Sequence, residues 1–190
     1  NNNLSSPQEL LDNVINIFKS DKNLQLNFNS VTVIHQNNLN TLVPLKYFDE
    51  ELLKKYLEFN IKTLKTDFAA YDSLNNIKAN NIYIPYVNIN NYLFQHFGEF
   101  VYKHHLSVYI DKLLELNPQN NKEIVYVNVS KSSLDVVVLK NKELLLSNIF
   151  SFNNADDFLY YILFISEQLN LDTNKFDIDK ETIKKQQNKK

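Results

Sequence analysis

The chain has 190 residues, 44% of them hydrophobic and 22% charged, and its formal net charge is -2. This composition suits a folded core, of one domain or two small lobes, and excludes a chain that is disordered throughout. It contains no cysteine, which excludes disulfides, thiolate metal sites and cysteine nucleophiles. The near-neutral charge and the lack of any long apolar run argue against nucleic-acid and membrane partners.

Two scarce residue types narrow the possible functions further. The only glycine is Gly98, and all 20 basic residues are lysine. A single glycine cannot build a glycine-rich phosphate loop, which needs several residues that let the backbone approach the phosphate closely. Without arginine there is no bidentate fork for a carboxylate or phosphate and no arginine finger.

Helices and strands are predicted to alternate over the first part of the chain. Ser6, Pro7 and Glu9 form a capping box with proline at the first helical position, Asp49 caps a second helix, and Gly98 suits a helix C-terminus. The predicted elements are, in order, a helix from Ser6 to Phe18, a strand at 30–34, a helix after Asp49, a weaker strand at 63–70, a strand at 81–85, a helix at 89–97, a strand at 100–103 and a helix at 106–114.

From Lys122 onward the pattern is that of a strand meander followed by a helix. Three apolar segments at 124–129, 134–139 and 144–150 are separated by short polar turns at 130–133 and 140–142. Asn154 caps a last helix that is apolar on nearly all sides, so we expect it to be covered by two layers. Together these elements predict an α/β fold with a mixed sheet and flanking helices, with a boundary between lobes at 117–121.

The residues that could carry chemistry favour structural roles when taken one by one. His104 and His105 are adjacent, and neighbouring side chains in a strand point to opposite faces rather than converging on one point, so with His96 they are interpreted as ordinary histidines rather than metal ligands. The acidic pairs at 50–51 and 156–157 open predicted helices, where carboxylates stabilise the helix dipole. The serines at 130–133 lack the motif of a serine nucleophile.

A dense aromatic block has two interpretations that remain open. It comprises Tyr83, Tyr86, Tyr92, Phe94, Phe97, Phe100 and Tyr102. A layer of the core is the simpler interpretation, and a partner-binding surface is the alternative, because aromatic residues are enriched at interfaces. Stacking on nucleic-acid bases is disfavoured, because only Lys103 lies near the block to supply positive charge.

Several segments together resemble one bacterial family, the domain of unknown function numbered 3822. The segments that carry the resemblance, between residues 30 and 171, are 35–44 (HQNNLNTLVP), 48–50 (FDE), 56–60 (YLEFN), 81–91 (NIYIPYVNINN), 102–104 (YKH) and 129–135 (VSKSSLD). Members of this family are similar in fold to actin-like ATPases, which are built from a duplicated βββαβαβα unit.

The resemblance therefore implies an actin-like, ribonuclease-H-like fold. Residues 1–117 would be the remainder of the first half, without its three opening strands, and residues 122–178 would be the opening βββα unit of the second half. The fold would thus be incomplete at both ends. Residues 179–190 form a polar, lysine-rich tail that we expect to be solvated.

The resemblance also singles out the turn at 130–133 as the counterpart of a phosphate-binding hairpin. Nucleotide-using members of the wider actin-like group carry an Asp-x-Gly-x-Thr-like sequence there. In this chain Asn128 replaces the aspartate that holds metal-bound water, and Ser130 replaces the glycine. Lys131, Ser132 and Ser133 keep some capacity to attract an anion, and the hairpin predicts a degenerate cofactor site without catalytic residues.

Two functional hypotheses follow. The leading one is a cytoplasmic, non-catalytic interaction or scaffold module that needs neither cofactor nor metal and contacts an unknown protein partner. The alternative is a nucleotide-binding protein of the actin-like ATPase type, which would hold ATP with magnesium at Asn128, Ser130, Lys131, Ser132 and Ser133.

Overall fold

The structure is a computed structural model, and it describes residues 6–116, 122–171 and 177–179. The chain divides into two compact units, the first running to Ser107 except for residues 75–77, and the second containing those three residues and the chain from Val108 onward. Each unit is described by itself. The predicted boundary at 117–121 and residues 180–190 of the predicted tail lie outside the described residues.

The first unit combines two small sheets with three helices and the start of a fourth. Its helices are α1 (Pro7–Ser20), α2 (Leu53–Glu58), α3 (Val87–Phe97) and the first residues of α4 (His105–Leu116). Its strands are β1 (Thr32–His35), β2 (Asn40–Pro44), β3 (Ala70–Leu74), β4 (Ala79–Tyr83) and β5 (Val101–His104). Strands β1 and β5 pair in parallel, whereas β2, β4 and β3 form an antiparallel sheet with β4 at its centre.

The predicted helix ends of this unit are confirmed in detail. The Ser6 hydroxyl accepts the Glu9 N–H at 3.2 Å while the Glu9 carboxylate accepts the Ser6 N–H at 2.7 Å, which is the reciprocal bonding of a capping box. The Asp49 carboxylate caps a short 3₁₀ turn that leads into α2. Gly98 ends α3 with a φ of 72°, a conformation that glycine adopts without steric cost.

The core of the first unit is apolar around β2, β4 and α2. Leu57 and Ile82 are fully buried, and Val43 and Ile84 complete the cluster. Strand β2 was not among the predicted elements, and the strand predicted at 63–70 is wrong: the extended segment begins at Ala70. Both differences have one cause, because β2 and β3 carry polar residues that face the interior and so lack an alternating apolar pattern.

The second unit contains the predicted meander. Strands β6 (Glu123–Val129), β7 (Ser133–Lys140) and β8 (Glu143–Ser151) pair antiparallel in sequence, and β9 (Asp177–Asp179) adds to β6 in parallel, in the order β8-β7-β6-β9. The turn between β7 and β8 holds Asn141 and Lys142 at φ values of 49° and 65°. Such a turn matches the twist of the strands that it joins.

Helix α5 (Ala155–Gln168) packs on this sheet with one face only. Ile162 and Ile165 are buried against Val125, Val127, Leu134, Val136 and Val138. The opposite face carries Leu159, Tyr160, Leu163 and Phe164, each between 41% and 60% exposed. The prediction that a second layer covers this helix is therefore wrong in this structure, because an all-round apolar pattern does not reveal how many faces are covered.

Candidate functional site

The turn between β6 and β7 brings all five sequence-predicted site residues into one hairpin. Asn128 is the second-last residue of β6, and Ser130, Lys131 and Ser132 lead into Ser133 at the start of β7. The Ser130 N–H donates to the Ser133 carbonyl at 2.8 Å, which closes the turn. Residues 130–133 all avoid positive φ, so the turn has no need of glycine. Lys131 and Ser132 are exposed.

The structure adds a residue to this hairpin that the sequence analysis did not identify. Asp135 lies opposite Asn128 in the strand register, and the Asn128 side-chain amide donates to its carboxylate at 2.8 Å. Asp135 is only 1% exposed. It sits within an otherwise apolar strand, and that isolated acidic residue was the one sequence signal that could have drawn attention to it.

The segment next to the hairpin is already occupied by groups that would oppose an anion. The Phe152 N–H donates to the Ser132 carbonyl at 3.1 Å, which ties the turn to the chain just before α5. At the N-terminus of that helix, Asn154 accepts the Asp157 N–H at 2.9 Å, and the Asp157 carboxylate accepts the Asn153 N–H at 2.8 Å. Free N–H groups at a helix start can bind phosphate, but here the Asp157 N–H already has an acceptor and the Asp157 carboxylate adds negative charge.

A second concentration of polar side chains lies inside the first unit, among β3, β4, β5 and the start of α4. The Asp72 carboxylate accepts the His104 N–H at 2.8 Å and the Tyr83 hydroxyl at 3.3 Å. The Asn81 amide donates to the Ser107 hydroxyl at 2.8 Å and to His104 Nδ1 at 3.2 Å, and the Asn81 carbonyl oxygen accepts from Asn40 at 2.9 Å. All these groups except Asn40 are buried.

The tautomer of His104 follows from its partners. Its Nδ1 faces two donors, the Leu106 N–H at 3.3 Å and the Asn81 amide, so Nδ1 is an acceptor. Its Nε2 therefore carries the proton and donates to the Asn37 carbonyl at 3.1 Å. Both nitrogens of the neutral ring are thus engaged.

This network brings together an aspartate, a histidine and a serine, but not as a catalytic triad. In a catalytic triad the serine hydroxyl is hydrogen-bonded to one ring nitrogen of the histidine, and the carboxylate is hydrogen-bonded to the other. Here the Ser107 hydroxyl bonds Asn81, and the Asp72 carboxylate bonds the His104 backbone rather than its ring. The arrangement joins three strands to α4 and is suited to fixing their positions.

Of the other histidines, His35 is buried and hydrogen-bonded through both ring nitrogens, whereas His96 is exposed. His35 accepts the Tyr86 N–H at 3.4 Å through Nδ1 and donates to the Asn90 side-chain oxygen at 3.0 Å through Nε2. Burial lowers the pKa of His35, and the hydrogen bond to Asn90 and the charge of Asp72 raise it by less. Burial and the nearby Asp72 raise the pKa of Tyr83. His96 lies on the surface of α3 beside Phe18. Across the described ranges, no three histidine, aspartate or glutamate side chains converge as they would around a metal.

The comparisons with known proteins identify the family. Residues 1–179 match the model of a family described as "Protein of unknown function (DUF3822)". The chain belongs to this family. The resemblance noted from the sequence is confirmed, and the match extends beyond residues 30–171, over which it was first noted. A comparison with functionally curated proteins returned no match.

The solved structures show the fold of this DUF3822 member. A protein from Bacteroides thetaiotaomicron, described as having an actin-like ATPase fold and unknown function, matches with a TM-score of 0.83 and 21% identity over 94% of this chain and 72% of that one. The predicted α/β, actin-like fold is thereby confirmed. A chain of a PilM-PilN type IV pilus biogenesis complex matches with a TM-score of only 0.42 and 14% identity, over 87% of this chain and 53% of that one, which is too weak to argue from.

None of the helices in the described ranges is both long enough and apolar enough to cross a membrane.

Proposed function

We propose that this DUF3822 member is a non-catalytic module of actin-like fold that works by binding a protein partner through α5. The observation that carries the proposal is the exposed apolar stripe formed by Leu159, Tyr160, Leu163 and Phe164. The Tyr160 and Phe164 rings stack at 6.0 Å between centroids. Single exposed apolar residues are common, but a contiguous aromatic and aliphatic patch on one helix marks an interaction surface.

The charges on α5 narrow the chemistry of that partner. Asp156 and Glu167 lie on the same face as the stripe, one near each end, and α5 contains no basic residue. A partner with an apolar surface flanked by lysine or arginine would match both the stripe and its ends. A second copy of α5 would not, because it would bring acidic residues toward acidic residues.

The residues of the β6–β7 hairpin support a non-catalytic role. Phosphoryl transfer requires close backbone donors, a carboxylate that holds magnesium and cations that neutralise the phosphates. The Cβ of Ser130 stands where glycine lets the backbone approach, Asn128 is neutral and already bonds Asp135, and Lys131 is the single cation of the turn. The neighbouring start of α5 carries Asp156 and Asp157, whose negative charges oppose an anion, and the Asp157 N–H is already bonded to Asn154.

Photo-crosslinking in cells of the source organism tests the proposed interface. A photoreactive residue at position 160 is expected to trap one discrete partner of different sequence, identified by mass spectrometry. The same residue at position 112, on the exposed polar side of α4, should trap none. Leu163→Asp, which places a charge in the stripe at a 51% exposed position and so leaves the fold intact, should abolish the cross-link. Cross-links confined to other copies of this chain, or equal yields at both positions, would refute the proposal.

Nucleotide binding is the second candidate, and Asp135 is the observation that favours it. A buried carboxylate next to the hairpin is a group that could orient water or magnesium if Asn128 released it. In that case ATP with magnesium would lie at Asn128, Ser130, Lys131, Ser132 and Ser133. The neutral Asn128 and the lone Lys131 make this candidate the weaker of the two.

Calorimetric titration with ATP and magnesium separates the two candidates. We expect no binding in the micromolar range and no phosphate release above background, because an exposed single lysine gives an attraction that physiological salt largely screens. A micromolar dissociation constant, equivalent to about -8 kcal/mol, would favour the second candidate. Lys131→Ala should then abolish binding, whereas Lys142→Ala in the next turn should not.

A further inference from the structure

The first unit contains an open cavity that neither candidate function uses. Its volume is about 500 Å³, within the usual range for small-ligand sites. It lies between the segment before β3, helix α3 and the start of β5. Its wall includes Phe68, Phe94, Phe100, Tyr102, Asn90 and Glu99.

Within the described ranges, four aromatic side chains line this cavity: Phe68, Phe94, Phe100 and Tyr102. Phe100 and Tyr102 meet nearly edge to face, with centroids 6.4 Å apart and planes at 66°. The rings of Tyr102 and His35 also meet edge to face, with centroids 5.8 Å apart and planes at 80°. Phe68 and Phe94 are 53% and 57% exposed. Three of these four rings belong to the aromatic block of the sequence, and the structure adds Phe68.

The charge of the wall has a single sign. Among the described residues that line the cavity, Glu99 is the one charged side chain, and none is a lysine or a histidine. Behind the wall, His35 donates to Asn90 through Nε2. Because His35 Nδ1 accepts the Tyr86 N–H, the ring carries a proton only on Nε2 and adds no positive charge there.

We propose that this cavity binds a small organic cation, an alkylated ammonium group attached to an apolar body. The faces of aromatic rings carry partial negative charge and attract cations, and several rings around one space are the usual receptor for quaternary ammonium groups. The Glu99 carboxylate adds a full negative charge at the same wall. Anionic ligands are disfavoured by that carboxylate, and the π faces give a neutral apolar ligand no comparable attraction. This site is independent of α5 and of the hairpin.

Titration of the full chain followed by amide NMR spectra tests the proposal, with three probes of similar size. They are benzyltrimethylammonium as the cation, benzyl alcohol as the neutral control and phenylacetate as the anion. We expect the cation to bind about tenfold more tightly than benzyl alcohol, and phenylacetate not to bind. The shifted signals should belong to Asn90, Asn91, Glu99 and their neighbours.

Two variants at exposed positions separate the sources of the preference without disturbing the core. Glu99→Gln should reduce the tenfold preference for the cation to about threefold, and Phe94→Leu, which keeps an apolar side chain but removes the ring, should weaken cation binding by a similar factor. Glu58→Gln removes an exposed carboxylate outside the cavity and should leave the affinity unchanged. Equal affinity for cation and neutral probe, or shifts confined to other residues, would overturn the proposal.

Discussion

Replacing Ile165 with alanine is expected to lower the free energy of unfolding by about 2–5 kcal/mol. Ile165 is 1% exposed, and its side chain packs against the sheet of the second unit with Ile162. The loss combines the apolar surface no longer buried with the cavity that the rigid strands around it cannot fill. Urea denaturation followed by circular dichroism measures the change.

The same helix offers a matched control. Leu163→Ala removes a similar apolar side chain from the 51% exposed face of α5 and should cost less than about 1 kcal/mol. Ile162→Ala, at 6% exposure, should fall in the range expected for Ile165, whereas Phe158→Ala should cost less than its size suggests because Phe158 is only partly buried. Equal losses at positions 163 and 165 would contradict the one-sided packing of α5.

Replacing Asp72 with alanine is expected to destabilise the chain by about 2–4 kcal/mol, because the buried His104 N–H loses its acceptor. The Tyr83 hydroxyl loses its shorter bond and keeps only the Tyr102 carbonyl, at 3.5 Å. A buried hydrogen-bonding group without a partner costs about 1–3 kcal/mol. Chemical denaturation measures this loss as well.

Two further variants show whether the lost acceptor is the cause. Asp72→Asn keeps one side-chain oxygen in place and should cost clearly less than Asp72→Ala. Ser73→Ala, at the next and exposed position of β3, should change stability by no more than about 0.5 kcal/mol. If Asp72→Ala proved as mild as Ser73→Ala, the network would not stabilise the junction of β3, β4 and β5.

Local patterns in the sequence predicted the elements whose cause is local. The capping box of α1, the left-handed end of α3 at Gly98 and the short turns of the β6–β8 meander each depend on neighbouring residues, so they could be located before the fold was known. Strands β2 and β3 could not, because they carry the half-buried Asn40 and the buried Asp72, whose side-chain partners lie on other strands. Without those partners the same residues are typical of turns.

The candidate sites also differ in whether their residues are contiguous in the sequence or are brought together by folding. The hairpin at 130–133 was accessible from the sequence, since its residues are contiguous. The bond of Asn128 to Asp135, the contacts of His104 and the presence of Phe68 and Phe94 around one cavity were not, because each depends on segments brought together by folding. The family and the actin-like class were recognisable from the sequence alone. Only the tertiary structure decided that one face of α5 is exposed, since helical periodicity records which residues are apolar and not what covers them.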